Sequence, residues 1–154
     1  MRKILKLTAV VLFAAFIAIQ FYRPDRANPP TVQAETLAAT AVVPENVAEV
    51  LTRSCNDCHS NETVYPWYSN ISPFSWLLAD HINEGRRELN FSIWNTYSAK
   101  KKRRKFDEIC EQVTGGEMPH NQYLWLHRDA QLSAEDKKLL CDWTETEKIK
   151  IAEF

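Results

Sequence analysis

The chain has 154 residues, which is enough for one compact domain with additional segments. Its 19 Lys and Arg residues nearly balance its 20 Asp and Glu residues, and the resulting net charge of −1 argues against a nucleic-acid-binding protein. Aromatic side chains are frequent, with 5 Trp, 5 Tyr and 7 Phe, whereas Gly occurs only 3 times. This composition suits a small helical protein whose core includes a large flat apolar group.

The N-terminus is a short basic segment followed by an uncharged, mostly apolar run, Leu7–Tyr22. As a helix this run would span about 24 Å, slightly less than the hydrocarbon core of a bilayer. Basic residues before an apolar run place the N-terminus in the cytoplasm and the rest of the chain across the membrane. We therefore expect residues 1–22 to be a single-pass anchor in a bacterial inner membrane, with the domain in the periplasm; a cleaved signal peptide is the alternative.

The next segment, residues 23–43, is rich in Pro, Ala, Thr and Asn and has no apolar period. This composition predicts a flexible linker. Pro44 is typical of the start of a helix, and apolar residues at i, i+3 and i+4 begin at Val47. A folded domain is therefore predicted over residues 44–154, and its first helix runs directly into Cys55.

Cys55, Cys58 and His59 form a Cys-x-x-Cys-His sequence. This spacing is typical of c-type haem attachment, because two thiols one helical turn apart can bond the two vinyl groups of one porphyrin while the next imidazole reaches the iron. The alternatives are a redox dithiol, half of a zinc site, or a disulfide. Neither strand-like alternation nor a second paired Cys/His cluster accompanies the motif. We predict one covalent haem c per chain, with His59 as an axial ligand.

The loop after the motif carries Tyr65 and Trp67 beside a proline. Aromatic side chains in a loop need a surface to pack against, and we expect these two to cover a porphyrin edge, with an ordinary core as the alternative. Apolar residues with helical spacing then run from Phe74 to Ile82, and His81 lies on the same stripe. His81 is either a hydrogen-bonded core residue or a contact of the haem.

Six consecutive cations, Lys100–Lys105, open the third predicted helix, which should end near Gly115. Such a run is ordinarily a solvated helix face, and the functional alternative is a docking patch for an acidic redox partner or for anionic lipid. The last helix is predicted to run from Ser133 to about Glu147. Asp136, three residues after Ser133, approximates a capping box.

Met118 follows the third helix in a short loop and is the one methionine besides the initiator. A thioether is a soft neutral ligand that favours ferrous iron, so Met118 is the predicted second axial ligand, with His81 and His120 as alternatives. Cys110 and Cys141 remain as a second pair. In an exported protein they are either a disulfide or two separate buried thiols, and the sequence leaves both open.

Several segments accompany the Cys-x-x-Cys-His motif: Tyr65-Pro66-Trp67-Tyr68, Asn83-Glu84-Gly85-Arg86 and Glu117-Met118-Pro119. Together they resemble the bacterial haem-binding domain family of small exported proteins and, more widely, the single-haem c-type cytochromes. The resemblance implies a covalently bound haem with His59 as one ligand. It does not choose between Met118 and His81, and it names no partner or reaction.

The fold expected from these features is an all-α, cytochrome c-like domain of four to five helices around one haem. The expected function is one-electron transfer rather than catalysis, because iron held by His59 and Met118 reorganises little when it gains or loses an electron. One alternative is a haem enzyme or gas sensor with an open iron position, assisted by His81 or His120. Another is a haem-containing assembly module that binds a partner through the aromatic loop and the basic run.

Overall fold

The computed structural model describes residues 1–152, in which the regular secondary structure is entirely helical, with no strand in that range. The α-helices are α1 Arg2–Ile19, α2 Leu37–Thr40, α3 Glu45–Ser54, α4 Asn56–His59, α5 Phe74–Glu88, α6 Ala99–Gly115, α7 Asn121–Leu124 and α8 Ala134–Ala152. Short 3₁₀ helices lie between them at Gln33–Glu35, Trp67–Asn70, Phe91–Thr96 and Arg128–Ala130. The predicted all-α class is confirmed. The four predicted domain helices correspond to α3, α5, α6 and α8, and the shorter helices were not expected.

The ends of the long helices follow local sequence signals. Ser98 caps α6 by accepting a hydrogen bond from the Lys101 amide at 3.3 Å, and Gly116 ends α6 with a φ of 79°. Ser133 and Asp136 form the predicted capping box, with reciprocal side-chain to backbone bonds of 2.9 and 3.0 Å.

Helix α8 continues to Ala152, beyond the end predicted near Glu147. The extension has partners on the rest of the domain: the Lys148 ammonium lies 2.7 Å from the Asp107 carboxylate on α6, and Ile151 packs against the main core. Tertiary contacts of this kind are not visible in the local sequence. The final two positions of the predicted domain, 153 and 154, lie outside the described residues.

The main core lies between α6 and α8, which pack along each other. The Phe106 ring lies 4.7 Å from that of Trp94 and 5.4 Å from that of Trp143, and all three side chains are buried. Cys110 on α6 and Cys141 on α8 form a disulfide beside these aromatic rings. Of the two states that the sequence left open for this pair, the structure has the disulfide.

Residues 23–43, the segment predicted to be a flexible linker, make contacts with the domain. Leu37 is buried in the main core, the Asn28 amide donates to the Thr63 carbonyl at 3.0 Å, and the Arg26 guanidinium donates to Asn70 Oδ1 at 2.7 Å. The polar composition therefore reflects hydrogen bonding to the loop after α4.

Helix α1 has 18 residues and buries none of them against the domain. Within residues 1–152, no helix has both the length and the apolar character needed to cross a membrane. The C-terminal end of α1 is nonetheless fixed to α5. The Gln20 amide donates to the Ser72 carbonyl at 3.1 Å and accepts from the Ser72 amide at 2.9 Å.

Candidate functional site

The two motif thiols lie at opposite ends of one short turn. Cys55 immediately precedes α4, and the amides of Cys58 and His59 both donate to the Cys55 carbonyl, at 3.2 and 2.9 Å. Both cysteines carry free thiols. Burial raises the pKa of Cys55 to about 12 and that of Cys58 to about 11, so both are neutral S–H groups at ordinary pH.

Helix α4 approaches α5 very closely, and Gly85 makes the approach possible. A Cβ atom at position 85 would lie 2.7 Å from the Cys58 carbonyl oxygen and 3.1 Å from the Cys58 Cβ. Any larger residue would therefore push the motif away from α5. A glycine inside an otherwise helical pattern was the sequence signal for this contact.

The His59 imidazole is held by two backbone carbonyls at the C-terminal end of α5. Its Nδ1 lies 3.0 Å from the Gly85 carbonyl oxygen and 3.0 Å from that of Leu89. Carbonyl oxygens only accept, so Nδ1 carries the hydrogen and Nε2 keeps a lone pair. Burial lowers the pKa of His59 and favours the neutral ring. A neutral imidazole with Nδ1 bound to a carbonyl is the usual form of a metal-ligating histidine.

The larger of two cavities beside the motif has a volume of about 480 Å³, which lies within the range of cofactor sites. Cys55, His59 and Met118 border it. Its apolar walls come from α3, α6 and the segments after α5 and α7, namely Leu51, Leu89, Phe91, Ile109, Val113 and Leu132. A flat apolar group would therefore meet mostly hydrocarbon there.

A buried lysine borders the larger cavity and pairs with two more exposed carboxylates. Lys105 is only 4% exposed, and its ammonium lies 2.5 Å from the Glu108 carboxylate and 3.6 Å from that of Glu88. Lys105 thus faces inward although it belongs to the basic run Lys100–Lys105. That run does not form one solvated face as expected, because six consecutive helical residues point in all directions around α6.

The smaller cavity, about 200 Å³, shares Cys55, His59 and Met118 with the larger one. His81 and His120 border the smaller cavity but not the larger one, and their rings lie 4.8 Å apart. The three candidates for the second ligand therefore lie around one space. Met118 is the candidate that borders both cavities together with His59.

The two aromatic residues of the loop differ in their surroundings. Tyr65 is half-buried and packs against a small cluster beside Cys58. Trp67 is 74% exposed and borders a separate groove of about 270 Å³ that also reaches Cys58. Both residues lie near the second thiol, and Trp67 is open to solvent.

Sequence reasoning missed a polar network that binds α7 to the motif. The Tyr123 hydroxyl donates to the Asp57 carboxylate at 2.8 Å, and the Tyr123 ring stacks on that of His127 at 4.1 Å. The Tyr68 hydroxyl lies 2.7 Å from His127 Nε2. Burial raises the pKa of both Tyr123 and Tyr68. The available signal was the i, i+4 spacing of Tyr123 and His127.

Arg86 fixes the loop that leaves the motif. Its Nε donates to the Ser60 carbonyl at 2.8 Å, and one Nη donates to Thr63 Oγ1 at 2.8 Å and to Asn28 Oδ1 at 2.7 Å. One side chain thus joins α5, the loop after α4 and the segment after α1.

These residues fit a haem. The donor set comprises two neutral thiols one turn apart, an oriented imidazole and a thioether, all beside mainly apolar cavities. Ser54 also lines both cavities, and its buried hydroxyl has no hydrogen-bond partner among the described residues. An unpaired buried hydroxyl costs free energy unless another group satisfies it.

The fold and the site define an all-helical protein built to hold a flat cofactor beside an available imidazole. The model of the haem-binding domain family matches residues 14–146, and the chain belongs to this family. Because of this family match, the protein is a haem-binding protein, and the resemblance inferred from the motifs is confirmed at the level of the family. No curated protein and no solved structure matches the chain.

Proposed function

We propose that the chain binds one haem c covalently and exchanges single electrons on the periplasmic side of a bacterial inner membrane. The observation that carries this proposal is the setting of His59. Its Nδ1 is bound to the carbonyls of Gly85 and Leu89, its Nε2 is available, and the free thiols of Cys55 and Cys58 lie on the same turn. A structural histidine would not need two unpaired thiols beside it.

Cys55 and Cys58 are proposed to form the thioethers. Each S–H would add across one vinyl C=C bond of a bound haem, with the sulfur bonding to one carbon and the hydrogen to the other, so no oxidant or reductant would be consumed. Their high pKa values keep both groups in the S–H form beforehand. Haem, when bound, supplies an iron centre that changes between ferrous and ferric states.

Met118 is proposed as the second axial ligand. It borders both cavities that His59 borders, and it lies in the loop between α6 and α7. If Met118 and His59 both held the iron of a bound haem, no open position would remain for small ligands. The role of the chain is then electron transfer and not catalysis.

The periplasmic location is supported by the cysteine chemistry and by the basic N-terminus. A disulfide between Cys110 and Cys141 is typical of an oxidising compartment. The basic residues before Leu7 favour export of the rest of the chain, either by an anchor or by a cleaved signal segment.

The basic run is proposed to attract an acidic redox partner only through its exposed members. Lys105 is buried, Lys101 lies 3.7 Å above the Tyr97 ring, and the Arg104 guanidinium pairs with Glu108 at 3.2 Å. Lys100 is exposed at the start of α6. The attraction is therefore expected to be weak and sensitive to salt.

A second candidate function is ligand or peroxide chemistry at an open iron position. The observation that favours it is the His81–His120 pair, whose rings lie 4.8 Å apart at the edge of the smaller cavity. Such a pair could transfer protons to a bound ligand. In that case Met118 would not bind the iron, and the reduced protein would bind carbon monoxide rapidly.

The two functions are separated by Met118→Ala and His81→Ala, prepared separately as full-length haem-loaded proteins. Electron transfer predicts that Met118→Ala alters the absorption spectrum and opens the reduced protein to carbon monoxide. His81→Ala, and its control His120→Ala, should leave the spectrum as it is. An unchanged spectrum in Met118→Ala would refute Met118 as the second iron ligand. An altered spectrum in His81→Ala would instead assign that ligand role to His81.

A further inference from the structure

A groove of about 270 Å³ opens on the Cys58 side of the motif and shares Cys58, His81 and Tyr123 with the smaller cavity beside His59. Its outer wall consists of large apolar side chains, all exposed: Trp67, Phe74, Leu77, Trp125 and Leu126. Trp67 and Trp125 are each 74% exposed. We call this surface the tryptophan groove. A contiguous exposed apolar surface with two open tryptophans is typical of an interaction site.

The lining of the tryptophan groove carries no formal charge. Among the described residues that line it there is no Asp, Glu, Lys or Arg, although a quarter of the chain is charged. The larger cavity, by contrast, is bordered by Glu88, Lys105, Glu108 and Glu111. Protein interfaces usually have a polar rim that fixes the register of the partner. The hydrocarbon of a lipid acyl chain needs no polar or charged partner, so an uncharged lining suits it.

The tryptophan groove lies beside the point where α1 joins the domain. Phe74 and Leu77 belong to α5, and the same helix holds the end of α1. The Trp76 indole donates to the Tyr22 carbonyl at 2.9 Å, and the two rings lie 5.8 Å apart. Gln20 is bound to Ser72 just before α5. These contacts fix the direction in which α1 leaves the domain.

Helix α1 itself exposes further apolar surface. Apolar side chains are exposed along α1 and just beyond it, including Leu12, Phe13, Phe16 and Phe21. Arg23 is exposed at the same junction, where a cation can meet a lipid phosphate. Tryptophan and tyrosine are enriched at the boundary between headgroups and acyl chains.

We propose that the tryptophan groove is a membrane-contact surface and that it lies against the interface of a phospholipid bilayer next to α1. Trp67 and Trp125 enter the headgroup region, and the uncharged groove between them meets acyl carbons. The domain then has a fixed orientation, with the Cys58 edge of the motif facing the membrane. This inference rests on the proposed location of α1 in the membrane, and the groove shares Cys58 and His81 with the candidate haem site.

The test is hydrogen–deuterium exchange of the full-length haem-loaded protein, with and without vesicles of phosphatidylcholine and phosphatidylglycerol. The proposal predicts slower exchange on vesicles in α1 and also in residues 67–78 and 121–127. Residues 134–151 of α8 should exchange at the same rate in both samples. Protection of α1 alone, or no association with vesicles, would overturn the proposal.

The variant Trp67→Ser with Trp125→Ser distinguishes the groove from α1. It should still bind vesicles through α1, but residues 67–78 and 121–127 should lose their protection. The control is Ile149→Ser, which removes another exposed apolar side chain, on α8 and outside the groove. If the double tryptophan variant keeps the same protection as the Ile149→Ser control, the tryptophans do not contact lipid and the proposal is wrong. If a soluble redox protein protects the groove while vesicles do not, the groove is a protein interface and the proposal is wrong.

Discussion

The domain has two regions that are stabilised in different ways. The framework region contains α6, α8 and a main core of thirteen buried side chains, and a disulfide joins its two long helices. The site region contains α4, α5 and α7 around a small core of three buried side chains: Tyr68, Leu78 and Ile82. Because apolar burial is the main stabilising contribution, we expect the framework to be the more stable region and the site region to depend more on hydrogen bonds and on haem.

The two cysteine pairs show the same difference. Cys110 and Cys141 are bonded and hold two helices together, whereas Cys55 and Cys58 share one turn and remain free. Hydrogen bonds made by His59, Arg86 and Tyr123 hold that turn in place. Changes in the framework should therefore alter stability, and changes in the site region should alter haem binding.

The largest effect is expected for Gly85→Val. A Cβ at this position meets the Cys58 carbonyl at 2.7 Å, so the side chain forces α4 away from α5 and removes a carbonyl partner of His59. We expect loss of haem attachment and a destabilisation of about 3 kcal/mol. Haem absorbance per chain and thermal unfolding measure both effects.

The matched control is Gly115→Ala, at the end of α6. A Cβ there meets nothing closer than 4.0 Å, so haem content should be unchanged. Equal haem content in Gly85→Val and Gly115→Ala would show that the close approach of α4 and α5 is not required.

The next effect is expected for Cys110→Ser with Cys141→Ser. Loss of a cross-link that closes 31 residues should lower the free energy of unfolding by about 3 kcal/mol. The haem spectrum should remain, because the disulfide lies in the framework. Denaturant unfolding of the haem-loaded protein measures the first effect, and loss of haem would show that the two regions are not separable.

A smaller effect is expected for Arg86→Gln. The substitution removes charge-assisted hydrogen bonds to Ser60, Thr63 and Asn28 and should cost about 2 kcal/mol. The control is Arg87→Gln, because Arg87 is the neighbouring arginine and is exposed. This substitution should change stability by no more than about 0.5 kcal/mol. Faster hydrogen exchange in residues 60–64 of Arg86→Gln alone would locate the effect in the site region.

The smallest effect is a pH dependence at the start of α8. Burial acts to raise the pKa of Asp136, but hydrogen bonds from Ser133 and the charge of Arg53 outweigh it and lower the pKa below its ordinary value of 3.8. Because the folded state binds the proton more weakly, this stabilisation is present above the ordinary pKa and is lost as the pH falls through the folded value. Asp136→Asn should unfold with less pH dependence in that acidic range, and an unchanged dependence would contradict the assignment.

Much of the helical fold was predictable because its signals are local. The apolar stripes of α3, α5, α6 and α8, the Gly116 helix end and the Ser133 capping box all depend on nearby residues. The contacts of segment 23–43 were not predictable because they involve distant partners: Leu37 is buried in the main core and Arg26 binds Asn70. Composition alone contains no information about such partners.

The site was predictable at the level of its chemistry. Spacing identifies Cys55, Cys58 and His59, but it cannot show that His59 Nδ1 reaches two carbonyls of α5 or that Lys105 turns inward. Both features depend on how α5 and α6 pack around the motif. The choice of Met118 remains a prediction, since His81 and His120 lie around the same space.

The most direct test of covalent haem attachment is the intact mass of the denatured full-length protein, expressed with a bacterial haem-attachment system. We predict that the mass includes one haem and that this haem survives denaturation and acid extraction. The variant Cys55→Ser with Cys58→Ser should lose the added mass, while Cys110→Ser with Cys141→Ser should keep it. The bare chain mass for the unmodified sequence, with haem released by acid, would contradict covalent attachment.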